Sequence, residues 1–403
     1  MMRDLTARQA THTKPTPRVG GLGIVLAIAL GSSFYIGQLG SDLVISLVAG
    51  IVVFLAGLRE DILRDVSPRV RLIAAFISAA LAIALTGVLV PDLGLVPGLL
   101  LQWVIPAVAI TLIWSAGTCH ALNLIDGLNG LSSLYTISAA LGLFVIAGHT
   151  GDADIQIVAG LLIAATLGFF ILNWPMGRIF LGDAGAYGIG HILAWLGIVL
   201  VARNPSVAGF AILLLIFWPV CDTLFSIIRR LGTKRATNQP DRLHFHHLAV
   251  RALPLLTRRN RRQHFDNPAA TILLVPFFST PIFTGVYFWD RPIAAAVALG
   301  AYIVLFMGTY IKLMNYLRSH RFRQRLRLVP PALSRKTQAR QFSALSGTYT
   351  HKGENFDVQI FRDHPAESWT LKASTAGTRI FAAKGKFETD ADAYAHFVHS
   401  TSL

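Results

Sequence analysis

The 403-residue chain is 53% hydrophobic and only 14% charged, with a mean hydropathy of +0.55. Soluble domains carry about a quarter of their residues as charges, so these totals argue against that class and favour a polytopic membrane protein. The net charge of +15 would suit nucleic-acid binding. Because Lys and Arg also collect in cytoplasmic loops, their positions along the chain must decide.

Apolar segments long enough to cross a bilayer recur along most of the chain. A spanning helix needs about 20 predominantly apolar residues. Ten segments qualify: 19–36, 42–58, 72–90, 98–115, 131–148, 155–172, 185–202, 207–226, 269–289 and 292–314. The sequence therefore predicts an all-α polytopic membrane protein of about ten transmembrane helices, with both termini on one side. Cys119 and Cys221 lie beside apolar segments and imply no disulfide framework.

The basic residues indicate which side that is. Residues 228–268 carry ten Lys or Arg and residues 318–340 carry eight more, whereas the alternate loops carry only Arg203 and Arg291. The positive-inside rule then places both termini in the cytoplasm. The charge reflects topology and attraction to anionic lipid and phosphate, and nucleic acid is not predicted as a partner.

The character of the sequence changes at about residue 341. The segments "GTYTHK", "NFDVQIFRD", "SWTLKAS" and "TRIFAAKGKFET" alternate like short strands, and "TDADAYAHFVHS" is typical of a helix capped by Thr389 or Asp390. We expect a small cytoplasmic α+β domain here. The predicted division is a cytoplasmic N-terminal segment (1–18), a transmembrane catalytic domain (19–316), a basic linker (317–340) and this C-terminal domain (341–403).

Five polar segments fall on the predicted cytoplasmic side. They are "HTKPTPRVGG", "REDILRDVSPRVR", "HALNLIDGLNG", "NWPMGRIFLGDAGAYG" and "RRLGTKRATNQPDRLHFHH". Ionisable residues at a membrane edge are costly, so they are functional candidates by default. A transporter would instead place such groups near the bilayer midplane, where His191 is an isolated case. The pattern favours a site at the membrane surface.

Carboxylates in these segments suit a divalent cation. Asp61, Asp126 and Asp183 are the strongest candidates, whereas Asp65, near arginines, fits equally well as an ion-paired or turn residue and Asp222 as a solvated acid. Asp183 follows Gly182 at the start of a helix, where free N–H groups and the dipole favour an anion. Hard oxygen ligands without a thiolate cluster predict Mg²⁺ or Mn²⁺, completed by substrate phosphates.

The histidine run "HFHH" allows several interpretations. Zinc is one, but no Cys or carboxylate stands at a usual zinc spacing nearby. A solvated basic loop is another. Because the histidines lie among several arginines and lysines, recognition of pyrophosphate or proton handling fits better. A divalent cation and a basic loop at the lipid boundary are the parts needed to transfer a phosphoryl group from a soluble donor to a lipid acceptor.

In combination, the five motifs resemble the polyprenyl-phosphate N-acetylhexosamine-1-phosphate transferases, over about residues 4–250. The resemblance has three departures: Glu60 stands where the family usually has Asp, His120 where Asn is common, and Asn129 where many members have Asp. Family members commonly carry one more helix before the arginine-glycine motif, giving eleven. The resemblance thus implies either a lost first helix or a start further upstream.

The resemblance also implies roles. Asp183 would bind Mg²⁺, with Asp61, and Glu60 beside it, as metal partner or base near the polyprenyl phosphate. Asn123, Asp126 and Asn129 would hold uridine and the metal-linked phosphates. Further catalytic or substrate-binding candidates, from the remaining motif matches, are Arg18, Asn173, Phe180, Arg242, His244, His246 and His247.

The implied reaction moves HexNAc-1-phosphate, GlcNAc favoured, from a UDP-N-acetylhexosamine to polyprenyl (undecaprenyl) phosphate at a bacterial inner membrane, with release of UMP. It would initiate cell-surface polysaccharide synthesis. Two alternatives stay open: the phospho-MurNAc-pentapeptide transferase of peptidoglycan synthesis, and an inactive scaffold of the same family. A homodimer, and recruitment of other polysaccharide enzymes by the C-terminal domain, are further expectations.

Overall fold

The fold is known from a computed structural model, which describes residues 16–91, 103–232, 243–256, 263–328, 341–351, 354–362, 368–375 and 380–401. The chain divides into two compact units, Met1–Ser319 and His320–Leu403. The first unit is helical and the second contains a small sheet.

The described helices of the first unit follow one another in short connections. They are α1 (Gly20–Ser33), α2 (Ser41–Val48), α3 (Ile51–Leu63), α4 (Pro68–Thr86), α5 (Val104–Ile125), α6 (Leu131–Thr150), α7 (Ala153–Asn173), α8 (Gly182–Arg203), α9 (Gly209–Leu215), α10 (Phe217–Gly232), α11 (Phe245–Leu256), α12 (Gln263–Tyr287) and α13 (Pro292–Leu328), the last of which continues past Ser319.

Seven of the described helices (α4–α8, α12 and α13), and α2 with α3 taken together, are long and apolar enough to span a membrane. The described residues contain eight such spans, or nine if α9 and α10, bent by 80° at a short break, form one. The prediction of a polytopic all-α membrane protein with a small α+β region is confirmed. The count of ten stays a prediction, because the predicted span 19–36 contains only the 14-residue α1 and the predicted span 207–226 contains the bent pair.

Helix α8 forms the centre of the first unit. All of its apolar window is buried within the protein, unlike the other described spans. Small residues allow this: a Cβ on Gly185 would lie 2.6 Å from the Cα of Gly21, and one on Gly190 would lie 2.6 Å from the Cα of Cys119. The backbones of α1 and α5 therefore pack directly against α8.

His191, in the middle of α8, stabilises a break between α2 and α3. At the break, the N–H of Gly50 donates to the carbonyl of Leu47 at 3.0 Å, which leaves the carbonyl of Ser46 outside the regular helical pattern. The ring Nε2 of His191 lies 2.8 Å from that carbonyl. An unpaired backbone carbonyl is costly inside a membrane. The position that looked like an isolated membrane histidine thus has a structural partner.

Arg203 ends α8 on the side opposite Asp183 and joins three segments. Its guanidinium donates to Asp42 (Nε to Oδ2, 2.9 Å), to Asp152 (Nη1 to Oδ1, 2.9 Å) and to Asp154 (Nη1 to Oδ1, 2.8 Å). Arg203 thereby holds the start of α2 and the α6–α7 connection against the end of α8.

The second unit contains an antiparallel sheet and one helix. Its strands are β1 (Gln341–Phe342), β2 (Gly347–His351), β3 (Glu354–Arg362), β4 (Trp369–Thr375) and β5 (Ile380–Phe387), followed by α14 (Asp390–Thr401). The order is β1-β3-β4-β5, with β2 pairing beside β1 on the same edge of β3. Thr389 Oγ1 accepts from the N–H of Asp392 at 3.1 Å, which confirms Thr389 as the cap of α14.

Candidate active site

Two acidic residues, one at the end of α3 and one at the start of α8, lie together. The Oδ1 of Asp61 accepts a hydrogen bond from the backbone N–H of Asp183 at 2.9 Å, and its Oδ2 accepts from the N–H of Ala184 at 2.9 Å. The side chain of Asp61 is only 2% exposed, and the guanidinium of Arg18 lies 3.6 Å from its Oδ1. The helix terminus that was predicted to have free N–H groups is thus capped by a carboxylate.

The carboxylate of Asp183 has its own set of partners. Its Oδ1 accepts from Nδ2 of Asn123 at 3.3 Å, and its Oδ2 contacts the guanidinium of Arg71. Arg71 also lies over the ring of Tyr187, whose hydroxyl is 3.1 Å from Nδ1 of His120. Sequence reasoning did not single out Arg71. The side chain of Ser67 accepts from the N–H of Val70 as the N-cap of α4, and Pro68 follows it. This Ser-Pro pair in the sequence indicates a helix start, and it could have placed Arg71 in the first turn of α4, at the same membrane edge.

Glu60, the departure from the family pattern, holds the turn after α3. Its Oε2 accepts from the backbone N–H of Val66 at 2.9 Å, across a turn in which Arg64 has a φ of 58°. Glu60 therefore points along the membrane edge toward residues 64–67. Glu60 is adjacent to Asp61 in the sequence, but its carboxylate binds the backbone of the turn and not Asp61 or its partners.

Asp126 begins the loop between α5 and α6. Its Oδ1 accepts from the hydroxyl of Ser132 at 2.6 Å. Burial raises the pKa of Asp126 to about 6, because the ionised carboxylate loses solvation, while the hydroxyl of Ser132 and the charge of Arg18 act in the opposite direction. The negative charge of Asp61 also raises the pKa of Asp126. The loop that begins at Asp126 therefore lies near Asp61.

Asn129 and Asn173, both predicted to bind substrate, have buried side chains that hold loops together. Asn129 donates from Nδ2 to the carbonyl of Pro175 at 2.9 Å. Asn173 accepts from the N–H of Gly130 at 2.6 Å and donates to the carbonyl of Ile179 at 2.8 Å. The structure places both amides within the framework of the site, and their substrate contacts stay predictions.

The histidines form a second cluster around Asp222. Nδ1 of His244 lies 3.3 Å from Oδ2 of Asp222, and Nδ1 of His246 lies 3.8 Å from the same oxygen. His246 is fully buried, and a Cβ on Gly127 would lie 2.8 Å from its Nε2. The histidine cluster therefore packs against the loop that begins at Asp126. Asp222, which the sequence left open as either a solvated acid or a functional one, contacts both His244 and His246.

The imidazole of His247 also belongs to this contact. A Cβ on Gly127 would lie 3.5 Å from its Cε1. Burial, together with the neighbouring His246, lowers the pKa of His247 well below its usual range. The ring is therefore neutral at physiological pH in the absence of a bound anion.

Phe180 and Arg242 complete the predicted set. The N–H of Phe180 donates to the carbonyl of Pro17 at 2.9 Å, and its carbonyl accepts from Gly20 at 3.0 Å, so its backbone fixes the segment that carries Arg18. Arg242 lies outside the described residues. Every described candidate thus lies at the ends of helices or in the loops between them.

Comparison with known proteins identifies the family. A sequence model of glycosyl transferase family 4 matches residues 43–201. A probable undecaprenyl-phosphate N-acetylglucosaminyl 1-phosphate transferase of Bacillus subtilis (strain 168) is 30% identical over 252 residues, which cover 60% of this chain and 68% of that protein. The chain belongs to glycosyl transferase family 4.

Two further relatives extend the comparison. The decaprenyl-phosphate N-acetylglucosaminephosphotransferase of Mycobacterium leprae is 27% identical over 347 residues, 75% of this chain and 81% of that protein. A phospho-N-acetylmuramoyl-pentapeptide-transferase of Streptococcus uberis is 39% identical over 89 residues, 22% of this chain and 27% of that protein. The resemblance predicted from the five motifs is confirmed. This family 4 protein is a glycosyl-1-phosphate transferase and a multi-pass membrane protein.

The donor set of this family 4 enzyme fits a Mg²⁺ ion that is shared with substrate. Among the described residues, no group of three or more His, Cys, Asp or Glu side chains is arranged to hold a metal. Mg²⁺ usually takes only one or two carboxylates and completes its shell with water and phosphate. The Oδ2 of Asp183 is buried and ion-paired with the guanidinium of Arg71, so it already balances a positive charge. That oxygen is the donor best suited to a cation.

Proposed function

We propose that this enzyme transfers N-acetylhexosamine-1-phosphate, with GlcNAc favoured, from a UDP-N-acetylhexosamine to polyprenyl phosphate and releases UMP. The observation that carries the proposal is the meeting of Asp61, Asp183 and Asn123 at one end of α8. The relatives named above, which act on undecaprenyl and decaprenyl phosphate, support the choice of acceptor and sugar. We place the site on the cytoplasmic face of a bacterial inner membrane, where nucleotide sugars are available.

The proposed reaction joins two phosphates. An oxygen of the polyprenyl phosphate forms a bond to the phosphorus that carries the sugar, and the bond from that phosphorus to the UMP oxygen breaks. A phosphate monoester is already nucleophilic at neutral pH, so the protein must chiefly orient the reactants and stabilise charge. A Mg²⁺ held by Asp183, with Asp61 through its remaining lone pairs, would neutralise the pyrophosphate charge when bound.

The protein's own residues supply the remaining functions. Arg71 and Arg18 lie beside the two acids and can bind phosphate oxygens of donor or acceptor. The histidine cluster lies against the Asp126 loop, and the imidazoles of His246 and His247 can contact the sugar or the leaving phosphate. His120 contacts the hydroxyl of Tyr187 and so fixes the Tyr187 ring that lies under Arg71.

The test is transfer of label from UDP-GlcNAc, ³²P-labelled at the phosphate next to the sugar, into organic-extractable lipid. Membranes that contain this protein receive undecaprenyl phosphate with Mg²⁺ or with EDTA. We expect labelled lipid only with the metal, and none for Asp183→Asn. The matched control is Asp65→Asn, because Asp65 lies on the same face but is exposed and paired with Arg59 at 2.8 Å.

The peptidoglycan alternative uses the same assay with a different donor. The 39% identity over 89 residues to a phospho-N-acetylmuramoyl-pentapeptide-transferase makes UDP-MurNAc-pentapeptide the second donor to try. Labelled lipid from that donor alone would overturn the GlcNAc assignment. An absence of product from these donors and from UDP-GalNAc would favour the inactive scaffold.

A further inference from the structure

The peptide groups on both sides of His244 are held by side chains. On one side, the N–H of Phe245 donates to Oδ1 of Asp222 at 3.0 Å. On the other side, the carbonyl of Leu243 accepts from the hydroxyl of Tyr310 at 2.8 Å and from Nη1 of Arg229 at 3.1 Å. The backbone conformation of His244 is therefore fixed from two directions.

Two helices supply these contacts. Asp222 and Arg229 lie on α10, seven residues apart, which places them two turns apart on one face. Tyr310 lies on α13, the last described candidate span. Its side chain is 3% exposed, its ring packs edge-on against Phe225 with centroids 4.6 Å apart, and Arg229 lies over it. In this packing the Tyr310 hydroxyl donates to the Leu243 carbonyl and accepts from the guanidinium of Arg229.

The orientation of the 243–244 peptide determines where the other histidines point. The carbonyl of His244 accepts from the N–H of Leu248 at 3.0 Å, so His244 is the residue from which α11 begins. His246 and His247 lie in the first turn of α11, against Gly127. A tilt at residue 243 would therefore move both imidazoles relative to the Asp126 loop.

We propose that Tyr310 is a positioning residue for the transfer reaction: it holds the Leu243 carbonyl and so sets the direction in which His246 and His247 face the site. This inference rests on the proposed function of the same site. Tyr310 and Leu243 both lie beyond the residues matched by the family model. Helix α13 itself continues without a break to Leu328.

The experiment compares two tyrosines on one helix. Tyr310→Phe removes the hydroxyl that holds Leu243. Tyr302→Phe, two turns earlier on α13, removes a hydroxyl that lies 2.8 Å from Oγ1 of Thr284 and serves as the matched control. For both variants and the parent we would measure kcat, the KM for UDP-GlcNAc, the thermal midpoint, and labelling of His246 and His247 by diethylpyrocarbonate, read by peptide mass spectrometry.

We expect Tyr310→Phe to lower kcat about fivefold, with less than about a twofold change in KM, because the hydroxyl loses its hydrogen bond to the Leu243 carbonyl and the one it accepts from Arg229. Labelling of His246 and His247 should become faster than in Tyr302→Phe, while the two variants share a similar thermal midpoint. Equal kcat and equal labelling in the two variants would overturn the proposal.

The design separates this inference from the proposed function. If the parent protein transfers no sugar phosphate, the proposed function fails, and the labelling comparison still decides whether Tyr310 orients the histidines. If Tyr310→Phe does not fold, Arg229→Lys takes its place, because an ammonium group cannot reproduce the two-nitrogen contact with Leu243 and Ser226. Parent-like labelling in that variant would also count against the proposal.

Discussion

The carboxylate of Asp61 caps the helix that begins beside Asp183. Two acids 122 positions apart in the sequence are thereby fixed to each other through backbone hydrogen bonds of 2.9 Å. Gly182 makes this approach possible: its φ is +78°, and an added Cβ would lie 2.5 Å from Oδ2 of Asp61. The arrangement combines a helix cap and a candidate metal partner in one side chain.

Asp61 should therefore respond differently to two substitutions. Asp61→Ala leaves the N–H groups of Asp183 and Ala184 unpaired and should lower the free energy of unfolding by about 1–2 kcal/mol, besides removing transfer. Asp61→Asn keeps one acceptor and should lose transfer with a smaller loss of stability. Thermal unfolding in detergent and the lipid-labelling assay measure the two effects. Equal stability of the two variants would contradict the capping role.

Gly127 provides a test of the contact between the Asp126 loop and the histidines. In Gly127→Ala, the new methyl group would lie 2.8 Å from Nε2 of His246 and must displace that ring. Transfer should fall at least about tenfold, with little change in the thermal midpoint. Gly168→Ala is the control, because a Cβ there meets no atom within 4 Å. Parent-like activity in Gly127→Ala would separate His246 from the reaction.

The two asparagines of the "NLIDGLNG" segment should separate structure from chemistry. Asn129→Ala leaves the Pro175 carbonyl without its partner and should lower stability by about 1–3 kcal/mol, with the KM for the donor unchanged in the folded fraction. Asn123→Ala removes a contact to Asp183 and should reduce transfer with little loss of stability. A raised KM in Asn129→Ala at full stability would restore the predicted substrate contact.

The pKa of Asp126 predicts a pH-dependent stability. Its folded pKa of about 6 lies above the usual value of 3.8. The contribution of this group to stability is thus complete below about pH 4 and is lost as pH rises through about 6. Asp126→Asn cannot ionise, so its stability relative to the parent should increase by about 1–2 kcal/mol between pH 4 and pH 8, after allowance for partial exposure. Denaturant unfolding in detergent with EDTA measures this, and parallel pH profiles would refute it.

Hydropathy and motif order were sufficient to predict the class of fold, the approximate spans and the segments that meet. They could not predict which side chains of those segments hold the loops in place and which are left to bind substrate. Asn173 and Glu60 sit in motifs that resemble substrate-binding ones, yet each is bound to a nearby backbone group. Such pairings depend on how loops close in three dimensions, which hydrophobic periodicity does not encode.

Contacts between residues far apart in the sequence could not be predicted either. Arg203 looked like an ordinary loop charge, but it joins three aspartates from two separate segments. Asp222 read equally well as a solvated acid, and only the approach of α11 to α10 reveals that it holds His244. No local spacing connects these residues, because their contacts cross between 22 and 161 positions of the chain.

Asp183 stands on the span whose apolar window is completely buried, whereas the window of α13 is only 17% buried. Lipid therefore touches the peripheral helices and not the one that carries this carboxylate. A bilayer that becomes thinner, thicker or more fluid acts first on those outer helices, and any effect on Asp183 must pass through protein contacts. The backbone of α8 at Asp183 is thus enclosed by protein, whereas its partner Arg71 lies on α4, whose apolar window is 28% buried, so α4 is the route by which a change in lipid composition would reach this carboxylate.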